Sequence, residues 1–132
     1  VAPNKASVDA SMVLAGCHAL SWVDRELVGD PLELEAVRSV EWGISRSDSH
    51  VIVPPSALKS AAPKMKIVQQ FRFDSALQRM AVIVELDRDH LAASKSEFAE
   101  CRVLVKGSAE RLRALLKQDD VDLHKYDSVA ER

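Results

Sequence analysis

Two apolar-rich runs, residues 65–73 and 79–86, separated by a short polar break, constrain this chain more than any other feature. In the first run Met65, Ile67, Phe71 and Phe73 fall on one face of an extended strand, and Lys66, Gln70, Arg72 and Asp74 on the other. The second is rich in Val and Ile, as a buried strand requires. Joined as a hairpin, the two strands leave Phe73, Ser75, Gln78 and Arg79 grouped at the rim of a sheet. Two readings fit Phe73 there: a core aromatic closing a strand end, or a flat face for a planar, charged ligand.

A length of 132 residues is one domain with room for a core. The net charge of -2, with acids and bases interspersed, provides no concentrated basic face for nucleic acid. No apolar run reaches the roughly 18 residues that span a bilayer, and no signal-peptide pattern opens the chain. A first residue of Val and a polar, helical last stretch suggest a domain excised from something larger. Cys17 and Cys101, far apart in hydrophobic surroundings, make no disulfide framework and fit a reducing compartment. Cys17-His18 has no CxxC or HxxxH partner, and His50, His90 and His124 form no cluster, so no metal site is expected.

Along the chain, Val8, Met12, Ala15 and Ala19 recur at helical spacing and predict a first helix over 4–20, started by Pro3 and Asn4. Residues 21–29 read as a short hairpin turning at Asp24 and Arg25. The next helix is locally well specified: Asp30 as N-cap, Pro31 at the first helical position, and Glu33 reaching back to close a capping box. Leu32, Ala36, Val37 and Val40 form its expected buried face. A polar segment over 43–63 contains a short strand at 50–53 before Pro54-Pro55, then a surface loop over 56–63. Residues 87–100 form a polar excursion. An apolar strand over 101–105 runs into Lys106-Gly107-Ser108-Ala109-Glu110 and a helix over 108–116 burying Leu112, Leu115 and Leu116. Strand, Lys, Gly, then helix start is either an ordinary turn or an anion site; it is not a Walker loop. An acidic linker over 119–122 precedes a last helix over 126–132. The expected class is α+β, a mostly antiparallel sheet flanked by helices.

Four motifs taken in order carry a resemblance: Cys17-His18-Ala19-Leu20, Val28-Gly29-Asp30-Pro31-Leu32-Glu33, Phe73-Asp74-Ser75-Ala76-Leu77-Gln78-Arg79-Met80, and Val105-Lys106-Gly107-Ser108-Ala109-Glu110. Over nearly the whole chain this order resembles the nucleotide-binding (N) domain of P-type ATPases, the last motif being similar to the family's Lys-Gly-Ala-Pro-Glu. The second and third motifs look like the type V members. Val40-Glu41-Trp42 and the Lys66-Ile67 to Phe73 strand look most like the endoplasmic-reticulum branch, which removes misinserted transmembrane helices; Gln78 is similar to the polyamine-transporting branch.

The resemblance implies roles. Phe73 would stack on adenine, Glu33 would accept from the adenine amine, Met80 would pack on the base, and Lys106 and Gly107 would line the floor. Ser75 would complete the rim, and Gln78 stands where the family often has a phosphate-directed Lys, with Arg79 as a replacement on the opposite strand face. The family also carries an Arg in a strand shortly after the segment occupied by residues 126–132. ATP is the implied ligand, with Mg²⁺ held mainly by other domains of the parent and the phosphorylation domain of the same chain as partner. This segment would bind nucleotide and hydrolyse nothing; the parent, an integral membrane protein, would form an aspartyl phosphate. Two rivals stand beside this reading: a non-catalytic α+β interaction module, and a thiol hydrolase built on Cys17-His18.

Overall fold

A computed structural model describes residues 2–58, 61–87, 100–117, 119 and 122–131. The 65–86 hairpin is its centre. Strands β5 (Lys64–Asp74) and β6 (Arg79–Asp87) pair antiparallel, and β6 also pairs antiparallel with β7 (Glu100–Gly107). Beyond β5 lie β4 (Val51–Val53) and β3 (Gly43–Ile44), giving a five-stranded antiparallel sheet in the order β3-β4-β5-β6-β7. A separate hairpin, β1 (Ser21–Val23) with β2 (Glu26–Val28), turns at Asp24 and Arg25, both with positive φ. The helices are α1 (Val8–Gly16), α2 (Pro31–Ser39), α3 (Ala109–Arg113) and α4 (Leu123–Ala130). The α+β class with an antiparallel sheet flanked by helices is as expected.

The core lies on one face of the sheet. Met80, Val82, Val84 and Leu86 of β6 are buried in strict alternation and join Met65, Ile67 and Leu104 from the neighbouring strands. Met12 and Ala15 of α1 and Val37 of α2 close over them, with Val40 just past the helix end. Gly16 marks a close approach of α1 to the sheet, since a Cβ there would sit 2.8 Å from a Leu104 methyl and 3.1 Å from the Met65 methyl.

The structure corrects several local expectations. The first helix spans nine residues, not 4–20: Pro3 and Asn4 start only a 3-10 turn, and Ser7 is the working cap, accepting from the Ala10 N–H at 3.2 Å. Phe71 does not share the core face of Met65 and Ile67, and Phe73 is exposed rather than buried. The pairing slips between Ile67↔Val84 and Gln69↔Ile83, so Val68 is a bulge and residues 69–71 change sides, until a second irregularity between Phe71 and Asp74 shifts the register again. Phe71 is 53% exposed, while Gln70 now stands opposite fully buried Val82.

On α2, Asp30 caps as expected, accepting from Leu32 and Glu33 N–H at 2.8 and 3.3 Å, but Leu32 is 82% exposed and Leu34 packs against the core instead. Strand β3 was not foreseen. In the 56–63 segment Ser56–Leu58 form a 3-10 turn and Ala62 is buried, so the expected loop re-enters the core. The helix after β7 ends at Arg113, Leu115 is 55% exposed, and Leu112 and Leu116 are only partly buried. Cys101, expected in apolar surroundings, is exposed. The last helix begins at Leu123, capped by Asp122. Most of the excursion over 87–100, with His90, and part of the linker over 119–122 lie outside the described residues.

Candidate functional site

The site forms at the end of the sheet where β5 turns into β6. Asp74 accepts from the Ala76 and Leu77 N–H groups at 2.8 and 3.0 Å, which folds Ser75–Gln78 into a four-residue turn. Gln78 takes a positive φ of 50° there, and its carbonyl accepts from the Ser108 N–H at 3.0 Å. The turn is thereby tied to the start of α3. Gly107 lies opposite Arg79 in the β6–β7 pair, and a Cβ at this position would sit 2.6 Å from the Gln78 carbonyl oxygen and 2.9 Å from the Arg79 Cβ. Glycine is thus required by close backbone approach.

One row further in, Met80 pairs with Lys106, and both side chains take the core face. Met80 is buried, and Lys106 reaches Glu33 of α2, with Nζ 3.6 Å from Oε1. The two charged side chains are 28% and 14% exposed, so this is a largely shielded pair at the mouth of the core. The other carboxylate oxygen, Oε2, accepts from the Ala19 N–H at 3.0 Å. The capping box anticipated for Glu33 therefore does not organise its side chain, which turns away from its own helix to the segment following α1.

That segment carries Cys17-His18, the pair on which the thiol-hydrolase reading rests. Cys17 donates its thiol to the Met80 carbonyl oxygen at 3.6 Å, His18 Nδ1 accepts from the Leu20 N–H at 3.0 Å, and Gln70 Nε2 donates to the His18 carbonyl at 3.1 Å. Cys17 and His18 are fully buried. Burial pushes the thiol up to about 11 against the pull of Lys106, and burial, helped by Lys106, pulls the imidazole down to about 4. A nucleophilic cysteine needs an accessible thiolate, so the thiol-hydrolase reading fails on this geometry.

Of the sequence-predicted residues, Glu33, Met80 and Lys106 come together directly, with Gly107 adjacent. Phe73 lies at the same end of the sheet, within the irregular stretch between the Phe71↔Ala81 and Asp74↔Arg79 pairs, and its ring is 63% exposed. Ser75 and Gln78 are exposed in the turn, and Gln78 Oε1 accepts from the Ser108 hydroxyl at 3.4 Å. Arg79, one residue before Met80 on the strand, takes the opposite face from Lys106. Beyond Gln78 a cleft of about 530 Å³ is lined by Ser108, Glu110, Arg113, Tyr126 and Asp127. Its guanidinium is engaged, since Arg113 donates twice to Asp127, at 2.6 and 2.9 Å.

The arrangement offers a carboxylate with an ammonium beside it, an exposed aromatic residue at the same sheet end and a backbone that leaves no room for a side chain at Gly107. These groups fit a purine nucleotide: an acceptor for an exocyclic amine, a cation and a stacking surface. Among the described residues no three His, Cys, Asp or Glu side chains gather as metal ligands. No described helix is long and apolar enough to cross a membrane.

No family model matches the chain. Individual proteins do. It is 34% identical over 92 residues, 70% of its length, to a probable manganese-transporting ATPase, PDR2, of Arabidopsis thaliana. It is 34% identical over 117 residues, 83% of its length, to the endoplasmic reticulum transmembrane helix translocase spfA of Aspergillus fumigatus. Against the cation-transporting ATPase catp-5 of Caenorhabditis elegans it is 31% identical over 134 aligned residues, 89% of its length. The matched part is 7%, 8% and 11% of these relatives, respectively. Over most of its length this chain is homologous to one short segment of P-type ATPases.

Proposed function

We propose that the chain is the nucleotide-binding domain of a type V P-type ATPase, holding ATP by its base at the Glu33–Lys106 end of the sheet. The observation that carries this reading is the ion pair itself. Two residues from separate motifs, on α2 and β7, meet at 3.6 Å beside Met80 and at the same sheet end as Phe73. Phe73 stacks on adenine, and Glu33 accepts from its amine. Met80 forms the apolar wall, and Lys106 with Gly107 lies under the nucleotide. Ser75, Gln78 and Arg79 form the rim toward the phosphates. In the parent, the domain presents ATP to an aspartate of the phosphorylation domain, Mg²⁺ being held mainly there, and the cycle drives movement across a membrane. The resemblance of residues 40–42 and 66–73 and the named translocase relative favour the endoplasmic-reticulum branch. The cation-transporting names of other relatives favour a transporter as the second reading.

Binding by the chain alone is expected to be weak, in the roughly millimolar range or about 4 kcal/mol, because a neighbouring domain grips the phosphates. An ATP titration followed by backbone NMR tests the proposal. Shifts grouped at Glu33, Phe73, Met80 and Lys106 support it. Shifts that are absent or scattered over the surface overturn it in favour of an interaction module.

A further inference from the structure

Within the nucleotide reading, on which this step rests, we infer that His18 is a positioning residue: its imidazole shapes the turn after α1 so that the Ala19 N–H fixes Glu33 for the base. Cys17-His18 stood out in the sequence, and the burial of both side chains removes the thiol-hydrolase task considered for the pair. The structure supplies another through Nδ1, which accepts from the N–H two residues on, at Leu20. An Asx turn closes the same ring, with a side-chain acceptor folding its own backbone.

The bond at Nδ1 puts the ring proton on Nε2, and Nε2 is buried without a hydrogen-bond partner among the described residues. Such an orphan donor is costly. A leucine would fill similar space without it, so packing alone does not account for an imidazole here. The carbonyl of the same residue is held by Gln70, which faces the core only because Val68 bulges. With both sides of His18 fixed, the next N–H, that of Ala19, meets Glu33 Oε2 at 3.0 Å. Glu33 sits in the first turn of α2, where its ordinary course is back to the N-cap. The Ala19 contact redirects it, leaving Oε1 beside Lys106. A carboxylate is acceptor-only. Held this way it welcomes the 6-amino group of adenine and repels the 6-carbonyl of guanine.

The test compares the 132-residue chain with His18→Leu and His18→Asn. Asn restores an acceptor that can bond two residues ahead; Leu removes it. By NMR titration, His18→Leu is expected to raise the ATP Kd roughly tenfold, the scale of one misplaced charged hydrogen bond, while His18→Asn stays within about threefold of the parent. In the ligand-free chains the Ala19 amide should exchange slowly in the parent and in His18→Asn, and faster in His18→Leu. Should His18→Leu fail to fold, His18→Gln takes its place, because its amide is one carbon too long for the turn. An unchanged Kd in the acceptor-less variant, or an equal loss in His18→Asn, overturns the positioning role. If the parent itself shows no ATP shifts, the nucleotide reading falls first and this inference with it; an unprotected Ala19 amide in a parent that does bind ATP defeats this inference alone.

Discussion

Acid should destabilise this protein through His18 before its carboxylates are titrated. The imidazole is fully buried and neutral, its pKa pulled down to about 4 from an ordinary 6.5 by burial first and by Lys106 second. The sign follows from proton uptake. Below pH 6.5 the unfolded chain binds a proton that the native chain refuses until about pH 4. Stability from this group is complete above 6.5 and is lost as pH falls through that window. Each pH unit inside it costs about 1.4 kcal/mol, so lowering the pH from 7.5 to 5 removes roughly 2 kcal/mol, a large share of the 5–15 kcal/mol typical of a domain. Urea unfolding at the two pH values, in the parent and in His18→Leu, isolates the contribution because other groups cancel in the difference. The parent midpoint should fall by roughly 1–2 M more than that of the variant. Equal falls in the two proteins would refute the buried neutral imidazole.

Phe73→Ala should leave the urea midpoint nearly unchanged, since the ring is 63% exposed, yet abolish measurable ATP shifts; retained binding would remove Phe73 from the site. Lys106→Ala should weaken ATP binding by about 1–3 kcal/mol, the range for hydrogen bonds to charged groups, read in the same titration. Gly107→Ala drives a methyl against the Gln78 carbonyl and Arg79 Cβ, neither of which is a flexible chain end, so a destabilisation of about 1–3 kcal/mol is expected in urea. Iodoacetamide at pH 8 should modify exposed Cys101 and spare buried Cys17 in the folded chain, giving one adduct by mass spectrometry; two adducts would contradict the burial.

The sequence by itself determined the elements whose physics is local. The run of Val and Ile wrote β6, since such residues favour an extended, buried strand. Asp30-Pro31 wrote the start of α2, because a cap and a proline act within one turn. The residue types of the proposed nucleotide site were named from the order of four motifs. What could not be read was where side chains meet. The bulge at Val68 turns Phe71 outward and Gln70 inward, and a one-residue slip leaves no mark in a composition of strand-forming residues. Glu33 had a sufficient local partner in its own N-cap, and only the arrival of the Ala19 N–H and Lys106 from distant segments drew it away. Local chemistry fixes which groups are available. The choice between competing partners of similar strength falls to tertiary packing, because only the folded chain brings the second partner within reach.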